Sequence, residues 1–210
     1  MGVLTESENG GLDGKGLNHN AKYRKEKYVR MSSSNLLLMI AVTAVNIVLL
    51  FINGSYFFFS AHVPYLLSYF GAILSSPELC AELNLDYPDL GNLPLIVTLV
   101  IAAILLGLYL LCWAMSRVKK MGVSVACSKK ARSMLIVALI LYGIDTLVLL
   151  PDAISGVMSG ELSMILCLLF HIWVVYYLIQ GIRGYNADIK ELLDAPVTVE
   201  AEAAVPAQEE

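Results

Sequence analysis

Apolar residues in this chain fall in long unbroken runs, without the spacing of an amphipathic helix or the alternation of a half-buried strand. Four runs carry the signal: 35–52, 93–115, 133–150 and about 162–182. At about 1.5 Å per residue, each rises far enough to cross most or all of a hydrocarbon core roughly 30 Å thick. They predict an all-α polytopic membrane protein with four transmembrane helices. A further apolar run, 56–75, is of a different kind: it follows an Asn53-Gly54 turn, clusters its aromatics, and contains His62, Pro64 and Gly71. Residues 75–92 then form a polar loop with Glu78, Glu82, Asp86 and Asp89 and no basic residue.

Charge decides how to read the ambiguous run. Of the 14 Lys and Arg residues, six precede residue 34, six lie between Arg117 and Arg132, and two follow the last apolar run. Lys and Arg mark the cytoplasmic side of a membrane protein, so the N-terminus, the 116–132 loop and the C-terminus are all expected in the cytoplasm. That arrangement requires an even number of crossings. The run 56–75 therefore becomes a re-entrant or interfacial helical segment on the outer side, with Pro64 and Gly71 as bend points. Backbone that leaves the helix at membrane depth has to be buried against protein.

Composition fits lipid as the solvent: 58% of residues are hydrophobic and 15% charged, against about 25% charged in a soluble domain. The formal net charge of −4 carries little information, because basic and acidic residues occupy different parts of the chain; no nucleic-acid partner is expected. Outside the bundle at 34–185, residues 1–18 read as a disordered cytoplasmic tail. Residues 19–33 read as a basic juxtamembrane segment, a short helix on the membrane surface, with Ser32, Ser33 and Ser34 available to cap the first span. Residues 186–210 read as an acidic cytoplasmic tail, disordered past Ala195. The first span has no small-residue cleavage site and is expected to stay as an uncleaved anchor. The opening Met-Gly lacks the Ser or Thr that N-myristoylation wants, with Glu6 in its place.

Few residues carry candidate chemistry. Cys80, Cys112, Cys127 and Cys167 have neither CxxC spacing nor a neighbouring histidine, so they read as free thiols, and no metal or cofactor is expected. Asp145 lies inside the third span, where a carboxylate costs on the order of 2.5–3.5 kcal/mol on insertion scales and needs a partner or water. His171 lies near the middle of the fourth span, and a short-looped antiparallel pair of helices brings the two together. His62 joins them if 56–75 packs inward. Such a cluster reads either as a proton relay facing a cavity open to the outside, or as an acid hydrogen-bonded to a helix neighbour with His171 as polar glue; one acid and one histidine favour the second. Thr43 and Asn46 fit helix packing, and Ala103 to Gly107 permits close helix approach. The acidic outer loop reads as solvated. With no HExxH, no GxSxG and no pair of intramembrane aspartates, no catalytic residue is expected and the chain does not read as an enzyme.

The stretch from Lys25 to Leu50, which contains KYVRMSSSNLLLMIAVTAVNIVLL, together with SYFFFSAHVPYLL after it, resembles a group of small multi-pass membrane proteins of Gram-positive anaerobic bacteria that carries no assigned activity. The likeness covers about three quarters of the chain. It implies a bacterial plasma membrane and transfers no binding or catalytic residue. Two functions remain: a non-enzymatic component whose bundle partners itself or another membrane protein, and a small oligomeric transporter or channel using Asp145 and His171.

Overall fold

The structure, a computed structural model, describes residues 14–52, 60–117 and 123–195. These form six helices: α1 (Gly14–Ile52), α2 (His62–Leu74), α3 (Pro77–Glu82), α4 (Leu93–Ser116), α5 (Val125–Ser159) and α6 (Leu162–Asp194). No strand occurs among the described residues. Four of the helices, α1, α4, α5 and α6, are long and apolar enough to cross a bilayer, so the chain is an all-α polytopic membrane protein.

Local signals place the helix ends. Ser124 caps α5, its hydroxyl accepting from Cys127 N at 3.2 Å, as small hydroxyl residues do for exposed first-turn donors. Pro94 sits in the first turn of α4, where its missing N–H removes no helical bond. At the other end of α5, Gly160 takes the left-handed conformation, φ 78°, which suits a residue without Cβ. Its N–H and that of Glu161 bond back to Val157 O and Gly156 O. The chain thus reverses within a few residues, and α5 and α6 pack antiparallel.

α1 lies along α6 through close approaches at two glycines. A Cβ on Gly181 would overlap Ser32, and one on Gly184 would come within 2.9 Å of Val29. Leu36, Met39, Tyr109, Leu135, Tyr142, Val174, Leu178 and Tyr185 fill the centre of the bundle, and Tyr185 donates to Ser116 O of α4 at 2.7 Å.

Every described Lys and Arg lies at one end of this bundle, and the described acidic loop residues lie at the other. We call these the basic and acidic ends. At the basic end the helices run further than the apolar runs alone indicate. Residues 14–33, expected as part tail and part separate surface helix, are continuous with the first span in α1. Residues 186–194, expected as the start of a tail, continue α6. The physical reason is packing: Val29 and Ser32 seat on Gly184 and Gly181, Ser128 donates to the buried Asp188, and Lys25 pairs with Glu191 at 2.9 Å. Ser32, rather than capping a helix start, donates to Val29 O within the unbroken helix. The remaining expected tail, 1–13 and 196–210, lies outside the described residues, as do the Asn53-Gly54 turn and the aromatics Tyr56 to Phe59.

α5 also outruns its apolar stretch. It passes Pro151 and ends at Ser159, held by Leu149 and Ala153 against Cys167 and by Gly156, whose Cβ position is filled by Met164. The helix needs no i→i−4 bond at Pro151 to stay packed there. As a result Asp152 lies on the α5 helix and not in a loop.

The short helix α2 explains the ambiguous run. Its 13 residues rise about 20 Å, short of a 30 Å core. Thr43 is nine residues before the end of α1, about 13 Å below Ile52, yet Thr43 Oγ1 accepts from Ala61 N at 2.7 Å. Ala61 therefore lies back inside the bundle, well below Ile52. α2 then climbs toward the acidic end, where Gly71 meets Thr98 and Leu95 of α4 and Ser75 Oγ accepts from Leu95 N at 3.0 Å. Entry and exit are on the same side.

Candidate functional site

The inner end of α2 is where the polar side chains converge. A helix start leaves its first N–H groups without intrahelical partners, and in a lipid-filled environment each unpaired group costs several kcal/mol. The residue at the cap position, Ala61, has no side-chain acceptor. Other helices supply what it lacks. Thr43 of α1 accepts from Ala61 N, and its own hydroxyl proton goes to Met39 O at 2.7 Å. Asp145 of α5 takes the next two donors: Oδ2 accepts from His62 N at 2.8 Å and Oδ1 from Val63 N at 2.7 Å. The following residue, Pro64, has no N–H to satisfy. Negative charge on this carboxyl group also lies at the positive end of the helix dipole, where it is favoured.

Asp145 has a third partner. His171 Nε2 of α6 lies 3.1 Å from Oδ2, and both side chains are shut off from solvent, 2% and 0% exposed. Asp145 is 13 residues from Arg132 and His171 is 12 from Arg183, so both stand about 18–20 Å from the basic end of their spans. The other imidazole nitrogen, Nδ1, faces Cys167 O at 2.9 Å. A carbonyl oxygen can only accept, so Nδ1 carries a proton. A single further proton then lies between Nε2 and Oδ2, and whichever atom holds it, the pair as a whole is neutral. Neutrality of the pair is what allows a carboxylate and an imidazole to be buried together at this depth. The Tyr142 ring stacks on His171, centroids 4.9 Å apart and 7° from parallel, and Tyr109 meets Tyr142 edge-on. These rings fix the imidazole in the orientation that the two hydrogen bonds require.

His62 takes part twice. Its backbone N–H binds Asp145, and its ring Nε2 lies 3.0 Å from Asp152 Oδ2. Asp145 and Asp152 are seven residues apart on α5, two helical turns, and so share a face. The first residue of α2 bridges them. Unlike the inner pair, this contact reaches the protein surface: the His62 side chain is 12% exposed and that of Asp152 49%.

Asp145, His171 and His62, singled out from the sequence, thus lie in one hydrogen-bonded network. Asp152, Thr43 and Tyr142 belong to it as well. The sequence signal for Asp152 was its seven-residue spacing from Asp145, hidden by Pro151, which reads as a helix end. Asn46 is fully buried on the same helix as Thr43. Cys80, in the stretch expected as a polar loop, is buried in α3 with its thiol on Ile73 O. Among the described residues no group of three His, Cys, Asp or Glu side chains is placed to hold a metal ion. Neither the family models, nor the curated proteins, nor the solved structures contain a match to this chain.

Proposed function

We propose that this chain is a non-enzymatic component of a bacterial plasma membrane, both termini in the cytoplasm, whose bundle partners other membrane proteins or a second copy of itself. The observation that carries this reading is the saturation of Asp145. The carboxylate at mid-bundle depth has two backbone donors and an imidazole as partners, and it serves to seat a re-entrant helix. Its chemistry is used inside the fold, which leaves the lipid-facing surfaces as the place where the protein acts on others. α4 buries the smallest share of its span, 17% against 28–33% for the other three. On it Gly107 has open space where a Cβ would stand, and Ala103 lies one turn away, so a partner helix can come close there. Collection of the described Lys and Arg at one end supports the cytoplasmic placement of that end.

The test is to extract the protein into native-lipid nanodiscs and compare it with Gly107→Leu. A stoichiometric assembly lost in Gly107→Leu, with the monomer still folded, supports the reading. An assembly that persists unchanged in Gly107→Leu, with proton flux in vesicles that Asp145→Asn abolishes, overturns it. That second outcome would favour a small oligomeric transporter, a reading supported by the way the half-exposed Asp152 and the more buried His62 lead from the protein surface toward Asp145 and His171.

A further inference from the structure

One polar contact has no part in satisfying the backbone of α2. The ring of His62 would leave the helix start fully capped if it pointed elsewhere, because Asp145 binds only its N–H. Instead it reaches two turns along α5 to a second carboxylate, Asp152, half-exposed at the acidic end. We propose that His62 and Asp152 form a proton-binding site, open to the solution at the acidic end, that sets how tightly α2 is seated. The inference takes the inward seat of α2 as given and assigns a control to it.

The physical case rests on where the imidazole sits. Histidine is the side chain whose charge changes between about pH 5 and 8. A positive charge on the first residue of a helix opposes the helix dipole and is unfavourable by itself. Here the opposition is overcome by Asp152, 3.0 Å away. When His62 takes up a proton, its hydrogen bond to Asp152 becomes charge-assisted and α2 is drawn onto α5. When it loses the proton the bond is a neutral-to-anion contact and the seat loosens. Sign and direction follow: the contribution of the pair is present at low pH and is lost as pH rises. The inner pair cannot take over this role, because Asp145 and His171 are closed off from solution.

Other groups near α2 differ in kind or place. α5 presents Asp145 and the Tyr142 phenol as well as Asp152; α4 carries Tyr109 and Cys112; the part of α1 that follows Arg30 has no titratable side chain; and Glu78, Cys80 and Glu82 of α3 lie at the far end of α2. On α2 itself only Tyr65 and Tyr69 join His62. His171 reaches the helix through Asp145. Among these, His62 is the imidazole that reaches the protein surface, its side chain 12% exposed against 0% for His171.

Removing Asp152 should do more than abolish the effect. With Asp152→Asn, a protonated His62 faces the positive end of α2 with no nearby unpaired anion, so acidification should loosen the helix. Reversal of sign is hard to obtain from any other titration. The experiment is hydrogen exchange of the α2 peptide in full-length protein in nanodiscs, between about pH 8 and about pH 5.5, corrected for the intrinsic pH dependence of exchange. In wild type, protection should rise about fivefold on acidification, the upper range for an ion pair with one half-exposed partner. It should be flat in His62→Gln, which keeps the backbone bond to Asp145, and reversed in Asp152→Asn. A flat wild-type profile, or an equal rise in His62→Gln, overturns the proposal. Should His62→Gln fail to fold, Asp152→Asn decides alone, since that side chain is half-exposed and its loss leaves the inner seat intact. Failure of the seat itself would appear as an unprotected α2 at every pH, a result distinct from a protected but pH-insensitive one.

Discussion

Replacing Asp145 by Ala removes three hydrogen-bond acceptor contacts at once. His62 N–H and Val63 N–H, 2.8 and 2.7 Å from the carboxylate, are left facing apolar neighbours, and each orphaned donor costs about 1–3 kcal/mol. His171 loses the partner that made the buried pair neutral, and breaking a buried pair costs about 3–5 kcal/mol. The terms overlap, since the same carboxylate serves all of them, so the expected loss is about 4 kcal/mol. Asp145→Asn is milder. Its carbonyl oxygen still accepts from Val63, while its NH2 group opposes His62 N–H, and about 2 kcal/mol should be lost. Reversible unfolding in mixed micelles, followed by the fluorescence of Trp113 and Trp173, measures both. Formate, a carboxylate that fits the space vacated by the side chain, should restore part of the loss in Asp145→Ala and change nothing in wild type. An Asp145→Ala protein within about 0.5 kcal/mol of wild type would refute the capping role.

Three further outcomes are expected. Gly71→Ala should lower the thermal midpoint, because a Cβ there would overlap the Thr98 hydroxyl and lie 3.1 Å from the Leu95 backbone; overpacking of this kind costs about 1–3 kcal/mol, and Thr98→Ala in the same chain should recover much of it. Asp188→Ala, which strips Ser128 of its acceptor at the basic end, should lose about 1–3 kcal/mol and raise hydrogen exchange in 183–194 while leaving α2 unchanged. Cys127, exposed at the basic end, should escape a membrane-impermeant maleimide in intact cells and react once the cells are opened; reaction in intact cells would invert the orientation.

The spans were legible because lipid asks one simple thing of a sequence, an unbroken apolar run, and four runs supply it. The inward seat of α2 was legible indirectly. Its residues resemble a fifth crossing, and only the distribution of Lys and Arg excludes one. Proximity of Asp145 and His171 followed from two antiparallel helices with a short connection. What caps α2 was not legible, because Asp145 lies 83 residues from the backbone it serves and no local pattern marks the pairing. Asp152 was hidden behind Pro151, a residue that ends many helices but not one clamped by Ala153 and Gly156 against α6. The extensions of α1 and α6 were missed for a related reason: they pack through Gly181, Gly184 and Ser32, small residues that leave no amphipathic stripe to read.

The inward return of the chain after α1 can be tested by pairing cysteines. With Thr43→Cys and Ala61→Cys in one chain, a membrane-permeable oxidant should form a disulfide between 43 and 61, because Thr43 Oγ1 and Ala61 N are 2.7 Å apart. Ile52→Cys with Ala61→Cys should not, since Ile52 stands about 13 Å further along α1. Efficient bridging of 52 to 61, with none of 43 to 61, would place the segment along the membrane interface and contradict a helix seated inside the bundle.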